Sequence, residues 1–179
     1  EGARQYDFSK FRSKSAFVYD ASGKAGTIVL AAPSKGRVTI RVHGVTAHAG
    51  NEPEKGLNAL KVAADLIMQL PDGRLSPVST ANFSIIEAGS ATNVVCDFVT
   101  ITGEQRSRDA KEYQQISADI QAAADRISEK YHTKIEVELH TLYQAFKLAE
   151  TARPCVLAKE AAEAACAAPF FKEGGGGMD

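Results

Sequence analysis

The order of periodic segments between residues 37 and 142 constrains the fold of this chain more than any other feature of the sequence. Alternation of apolar and polar side chains with a period of two residues is typical of half-buried strands. Four segments show it: residues 37–42, 80–86, 94–108 and 134–142. Apolar residues at spacings of three and four, which indicate helices, occupy residues 55–70 and 109–131.

The resulting order is β-α-β-β-α-β. It predicts an α+β fold of the ferredoxin-like type, with a four-stranded antiparallel sheet and two helices on one face. The other face of such a sheet is open to solvent or to a partner. Asp109, followed by Glu112, predicts the start of the second helix. The first helix is expected to bury one apolar stripe, which consists of Leu57, Leu60, Ala64, Ile67 and Leu70.

Two further segments lie outside this pattern. Residues 15–31 place two short β-rich runs around a glycine-containing turn, which predicts a hairpin. Residues 153–167 are rich in alanine and predict another helix.

The long strand at 94–108 loses its alternation near Phe98 and Val99, which indicates a bulge there.

Composition excludes several classes of function. The formal net charge of −1 gives no basic field for nucleic acid or an anionic membrane. No apolar run approaches the length of about 18 residues that a membrane-spanning helix needs. The cysteines Cys96, Cys155 and Cys166 are odd in number and form no CxxC pair, which favours a reducing, cytoplasmic setting.

Three segments carry a family resemblance. They read AHAGNEPEKGLNAL at residues 47–60, GSATNVVCDFVTITGEQRSRD at 89–109, and VYDASGKAGTIVLAAPSKGRVTIRVHG at 18–44. The first resembles the G-x-x-x-H-[AP]-G-x-x-P-x-x-G-x-N-A signature in the small domain of co-catalytic zinc exopeptidases. This group includes peptidase T, succinyl-diaminopimelate desuccinylase and aminoacylase. The third segment is most similar to the peptidase T-like branch.

The resemblance implies a domain organisation. In this family the small domain, a dimerisation domain or lid, is inserted into a larger catalytic domain. Residues 34–146 then correspond to the lid, and residues 1–33 and 147–179 to pieces of the catalytic domain. Glu1-Gly2-Ala3 looks like the tail of an upstream catalytic motif, and GGGGMD at the other end resembles a glycine loop of the catalytic domain.

The resemblance also implies a reaction and its groups. The parent enzyme would hydrolyse a peptide or amide bond with two zinc ions, acting as an aminopeptidase on short peptides, while this span alone would be inactive. Asp20 matches a carboxylate that ligates one zinc, which suits zinc's acceptance of carboxylate oxygen. On the residues alone, Asp20 is better explained as an aspartate that starts a turn before Ser-Gly.

Four residues match the family's substrate site. His48 matches a lid histidine that donates a hydrogen bond to the tetrahedral intermediate, across the dimer in dimeric relatives. Arg106 matches a clamp for the substrate carboxylate, assisted by Asn93, and Gly176 belongs to a loop that lies against the substrate. Without the resemblance these are a loop histidine, a surface arginine, a turn asparagine and a linker glycine, and Arg108 competes with Arg106 for the match.

The resemblance implies a homodimer as the functional state, and a C₂ contact through a strand edge and a helix is the usual symmetric solution. A different class of function stays open from the residues themselves. A stand-alone ferredoxin-like module could bind a protein partner by strand pairing or bind a small molecule.

Overall fold

The computed structural model describes residues 5–177, apart from the side chain of Phe8. The resemblance to catalytic-domain motifs falls partly outside these residues. Glu1–Ala3 and the final Met178-Asp179 of GGGGMD are not among the described residues. The described strands are β1 (Thr27–Ala32), β2 (Ser34–His43), β3 (Gly73–Ser76), β4 (Ser79–Ala88), β5 (Phe98–Ser107), β6 (Ile135–Tyr143), β7 (Phe146–Lys147) and β8 (Phe170–Glu173). The α-helices are α1 (Ala59–Ile67), α2 (Ala110–Tyr131) and α3 (Arg153–Ala164), and short 3-10 turns occupy Phe8–Lys10 and Pro53–Lys55.

These residues form two compact units. One contains the described residues up to Ala31 together with Lys147–Gly174, and the other contains Ala32–Phe146 together with Gly175–Gly177. We call them the terminal unit and the central unit. The order of elements in the central unit is β2-α1-β3-β4-β5-α2-β6. The predicted α+β, ferredoxin-like fold is therefore confirmed, with one added short strand.

The central sheet is antiparallel, with strand order β3-β4-β5-β2-β6. Alternation along the strands gives each face a distinct character. On β2, Val38, Ile40 and Val42 are fully buried, while Lys35 and Arg37 point to the opposite face. The buried face packs against α1 and α2, in a core that also includes Val62, Leu66, Val99, Ile101, Ile116, Ile120, Ala124 and Ile127. We call the opposite, uncovered face the open face.

The helix boundaries follow from local hydrogen bonds. Asp109 caps α2, because its Oδ1 accepts from the backbone N–H groups of Lys111 at 2.8 Å and Glu112 at 2.9 Å. Helix α2 ends at Tyr131, and the C-cap residue His132 has a left-handed φ of 50°. The Glu112 side chain does not complete a capping box. Its carboxylate instead accepts hydrogen bonds from Ser76 and Ser79, so it joins α2 to the β3–β4 hairpin.

The stripe predicted for the first helix is partly wrong. Helix α1 buries Ala59, Val62, Ala63 and Leu66. Leu60 is 45% exposed, and Ala64 is exposed as well. The helix carries apolar residues on two faces, so periodicity locates the helix but does not tell which face packs.

Two local predictions were also wrong. Residues 15–22 form no strand, and β1 pairs in parallel with the distant β8 instead of forming a hairpin. The long strand starts at Phe98 and pairs regularly with β2, while the irregularity lies in β4 between Phe83 and Ile85. A Cβ at Gly103, opposite that bulge, would lie 2.4 Å from the Asn82 carbonyl oxygen and 2.5 Å from the Phe83 ring, so this position needs a glycine. The predicted alanine-rich helix is present as α3.

Candidate functional site

The loop after β2 holds His48 in a defined geometry. The His48 carbonyl accepts from the N–H groups of Asn51 at 3.2 Å and Glu52 at 3.1 Å. Its ring Nδ1 accepts from the N–H groups of Gly50 and Asn51, both at 3.2 Å. A ring nitrogen that accepts hydrogen bonds carries no proton, so the neutral imidazole keeps its proton on Nε2. The exposed His48 ring therefore presents a hydrogen-bond donor to its surroundings.

The remaining signature residues build this loop. The Asn58 side chain caps α1 by accepting from the Leu60 N–H at 3.0 Å. A Cβ at Gly44 would lie 2.3 Å from the Leu57 carbonyl oxygen, because the two ends of the loop pair closely at Val45 and Leu57. Gly44 and Asn58 of the signature thus shape the loop that presents His48.

Asn93 lies on the segment that pairs with the His48 loop. The Ala49 N–H donates to the Asn93 carbonyl at 3.0 Å, and His48 forms a β-bridge with Val94. Asn93 is exposed. The structure therefore brings these two predicted site residues onto adjacent backbone segments, beside the start of β5.

Arg106 lies on the open face of β5. Its Nε donates to Oε1 of Glu104 at 2.7 Å, and its Nη1 approaches the Gly175 carbonyl oxygen at 3.5 Å. A Cβ at Gly176 would lie 3.6 Å from that Nη1. Arg106 and the glycine loop are thus adjacent within the central unit. Arg108, the competing match, follows the last residue of β5.

Glu104 is shared by two cations. Lys35 Nζ lies 2.9 Å from its Oε2, while Arg106 occupies Oε1. Burial raises the pKa of Glu104, but the hydrogen bonds from Arg106 and Lys35 outweigh it and hold the pKa below its usual 4.5. An open cleft of ≈ 410 Å³ lies on this face of the sheet. It is lined by Lys35 and Glu104 of the trio, together with Arg37 and Asn82. Two members of the trio, Lys35 and Glu104, thus face this cleft.

Arg106 and the His48 loop lie at opposite ends of the same strand. His48 and Asn93 are beside the start of β5 at Phe98, and Arg106 is near its end. At roughly 3.4 Å per residue, the strand from Phe98 to Arg106 extends about 27 Å. Within one chain, the length of β5 therefore separates the His48 loop from Arg106.

Asp20 belongs to the terminal unit, in a stretch without regular structure, and is exposed. Across residues 5–177, no three His, Cys, Asp or Glu side chains lie together as a metal site would require.

Sequence reasoning missed Glu104, Lys35 and the Gly175 carbonyl as neighbours of Arg106. A signal for Glu104 was available, because residues two apart on a strand share a face and their charges are opposite. Lys35 could not be found in this way. It faces Arg106 only through the β2–β5 register, in which the two residues are directly paired.

Comparison with known proteins places the chain in a family. Residues 33–132 match the family model of the M20 peptidase dimerisation domain. The chain belongs to this family. It is 34% identical over 178 residues to the uncharacterised protein YqjE of Bacillus subtilis, and 25% identical over 181 residues to peptidase T of Vibrio cholerae. Each alignment covers 99% of this chain, but 48% of YqjE and 44% of peptidase T.

Solved structures agree with this placement. Aminopeptidase PepT of Bacillus cereus superposes with a TM-score of 0.86 at 36% identity, covering 99% of this chain and 48% of that one. A tripeptidase of Staphylococcus aureus superposes with a TM-score of 0.91 at 28% identity, covering 99% and 47%. The chain thus spans about half the length of the relatives that it matches. No helix among residues 5–177 has the length and apolar character needed to cross a bilayer.

Proposed function

We propose that this chain is the dimerisation and substrate-binding lid of a peptidase T-like metallopeptidase that acts as an aminopeptidase on short peptides. Residues 34–146 form the lid, and residues 1–33 and 147–179 belong to the catalytic domain. Membership of the peptidase dimerisation-domain family supports this role. The similarity to an aminopeptidase and to a tripeptidase supports the substrate class.

One observation carries the proposal. Arg106 with its glycine loop lies at one end of β5, while His48 and Asn93 lie at the other. A homodimer can bring the two groups together. Its two-fold axis can place the Arg106 end of one lid beside the His48 end of the other. Each active site is then completed by Arg106 and Gly176 from one chain and by His48 and Asn93 from its partner.

Each residue has a role that suits its chemistry. The planar guanidinium of Arg106 can hold a substrate carboxylate through parallel hydrogen bonds, with the backbone at Gly176 beside it. Asn93 adds an amide donor. His48, with its proton fixed on Nε2, donates to the oxygen that becomes negative when the peptide carbonyl is attacked.

A two-fold contact has a suitable surface on the central unit. Leu60 and Ala64 on α1 and Met68, the C-cap residue of this helix, are exposed at i, i+4 and i+8, which places them on one face. The short edge strand β3 pairs with β4 only as far as Ala81, so among the described residues the rest of β4 forms the edge of the sheet, where Ile86 is 47% exposed. A second copy that pairs along this edge would cover both features.

The family implies zinc, and Asp20 is the residue of this chain that we assign to it as a ligand. Since the described residues hold no cluster of three ligands, the other ligands must come from elsewhere in the parent protein. We therefore propose that residues 1–179 alone are inactive. The three free cysteines fit a cytoplasmic enzyme.

Hydrolysis of trialanine by the full-length parent protein tests the proposal. With added Zn²⁺ we expect release of the N-terminal alanine, loss of turnover after chelation, and recovery when Zn²⁺ is restored. The isolated 179-residue chain should show no turnover. Hydrolysis of N-acetyl amino acids without hydrolysis of trialanine would contradict the assigned substrate class.

A further inference from the structure

We propose that Glu104 is a positioning residue for Arg106: it fixes the guanidinium so that its two terminal nitrogens face the Gly175–Gly176 loop and receive the substrate carboxylate. This inference rests on the proposed function, because it assigns a role to a neighbour of the proposed clamp. Glu104 acts through the arginine and is not itself placed against the substrate.

The hydrogen-bond geometry separates the two edges of the guanidinium. Glu104 occupies the Nε edge at 2.7 Å, whereas Nη1 points to the loop, with the Gly175 carbonyl at 3.5 Å. In the described part of the chain, these are the hydrogen-bond partners of the Arg106 side chain. A bidentate carboxylate needs two parallel N–H donors, and the Nη1–Nη2 edge supplies them once Nε is held.

The β-sheet holds Glu104 rigidly for this task. Lys35 pairs directly with Arg106, and Arg37 pairs directly with Glu104, across the β2–β5 register. Their side chains therefore share the open face with the Arg106–Glu104 pair. A site built on paired strands holds its geometry better than one on loops.

Lys35 completes the arrangement electrostatically. It binds Oε2 of Glu104 at 2.9 Å, so each carboxylate oxygen faces one cation. The trio of Lys35, Glu104 and Arg106 keeps a formal charge of +1 near neutral pH. Glu104 can thus orient the arginine without cancelling its attraction for an anionic substrate terminus.

Kinetics with two matched peptides test this role in the zinc-loaded, full-length parent protein. The peptides are trialanine and its C-terminal amide, which lacks the carboxylate. We expect E104A to raise KM for trialanine about tenfold, the size of one hydrogen bond to a charged group, with kcat little changed. KM for the amide should stay the same. E104Q keeps an acceptor for Nε and should show a smaller increase than E104A.

A double variant shows whether Glu104 acts through Arg106. In an Arg106→Ala background, adding E104A should change KM for trialanine no further, because the group that it positions is gone. Glu138→Ala is the matched control. It breaks another arginine–glutamate pair on the open face, Arg41–Glu138 at 3.0 Å, away from the clamp, and should leave both KM values unchanged.

Three results would overturn the inference. E104A could raise KM equally for both peptides, as a general structural defect would. It could lower KM for trialanine, which would show that Glu104 competes with the substrate carboxylate. It could also act undiminished in the Arg106→Ala background.

Failure of the proposed function gives a different result. If the wild-type parent hydrolyses neither peptide, the assigned activity is wrong. Calorimetric binding of dialanine to the wild-type protein and to E104A then decides the positioning role. Weaker binding to E104A supports it, and equal binding overturns it.

Discussion

At the scale of single residues, His48 shows how two backbone amides select the chemistry of a side chain. The N–H groups of Gly50 and Asn51 both donate to Nδ1 at 3.2 Å. The neutral ring can then act only as a donor through Nε2. A histidine used as a general base needs a ring nitrogen free to accept a proton, so this geometry favours stabilisation of an oxyanion.

We predict that His48→Ala in the full-length protein lowers kcat for trialanine by about 10²- to 10³-fold, the usual cost of removing one oxyanion donor. KM should change little, because the donor acts in the transition state. Steady-state kinetics measure both constants. His140→Ala, which removes an exposed histidine of β6, is the matched control and should leave kcat unchanged. An unchanged kcat in His48→Ala would refute the assigned role.

At the scale of elements, the two helices of the central unit are joined by a polar contact. Asp65 on α1 accepts from Lys130 Nζ at 2.6 Å and from the Tyr131 hydroxyl at 3.0 Å, both on α2. The hydrogen bond from Lys130 is the main cause that holds the pKa of Asp65 below its usual 3.8, and it also raises the pKa of Lys130. The charged pair is thus favoured in the folded chain.

The sign of this shift gives a pH dependence. A carboxylate with a depressed pKa adds stability above its unfolded pKa, and this stability is lost as pH falls through the folded value. We therefore predict that Asp65→Asn lowers the free energy of unfolding at pH 7, and that the difference shrinks below pH 3.8. Urea unfolding across this range measures it. Asp119→Asn, whose partner is the neutral Gln115 amide, should show a smaller difference at pH 7. A difference for Asp65→Asn that is independent of pH would contradict the prediction.

Helix α1 also supports a prediction about assembly. Met68 is 84% exposed at the end of the apolar stripe with Leu60 and Ala64. We predict that Met68→Glu weakens the dimer, because a charge buried in an apolar contact is costly, and raises its dissociation constant about tenfold or more. Sedimentation equilibrium of the full-length protein measures this. Gln114→Glu makes the same charge change on exposed α2 and should leave the dimer intact. A Met68→Glu protein that stays as dimeric as wild type would exclude this stripe from the interface.

Much of the fold could be predicted because its signals are local. Alternation located β2 and β6, and the Asp109 cap located the start of α2. The parallel pairing of β1 with β8 could not be predicted, because its partners lie far apart in sequence. The buried face of α1 could not be predicted either, since apolar residues occupy two of its faces.

The candidate site could also be predicted only in part from the sequence. Its residue types came from motif resemblance, and the structure adds their arrangement. The pairing of the His48 loop with Asn93 and the Lys35–Glu104–Arg106 trio both depend on contacts between distant strands or loops. No local pattern encodes these contacts, apart from the shared face of Glu104 and Arg106.

At the scale of the whole molecule, the central claim is that each active site draws on two chains. The proposal assigns His48 and Arg106 of one chain to different sites, because β5, about 27 Å long between Phe98 and Arg106, separates them. Two inactive variants should therefore complement each other. In a mixed dimer of His48→Ala and Arg106→Ala chains, one site receives the intact Arg106 of the first and the intact His48 of the second.

The most direct test is to mix full-length His48→Ala and Arg106→Ala proteins in equal amounts, exchange their subunits, and measure trialanine hydrolysis. Half of randomly exchanged dimers are mixed and each has one intact site, so activity should return to about a quarter of the wild-type value. Each variant alone should stay at its low level. If the mixture is no more active than the separate variants, His48 and Arg106 do not act across a dimer, and this account of the site is wrong.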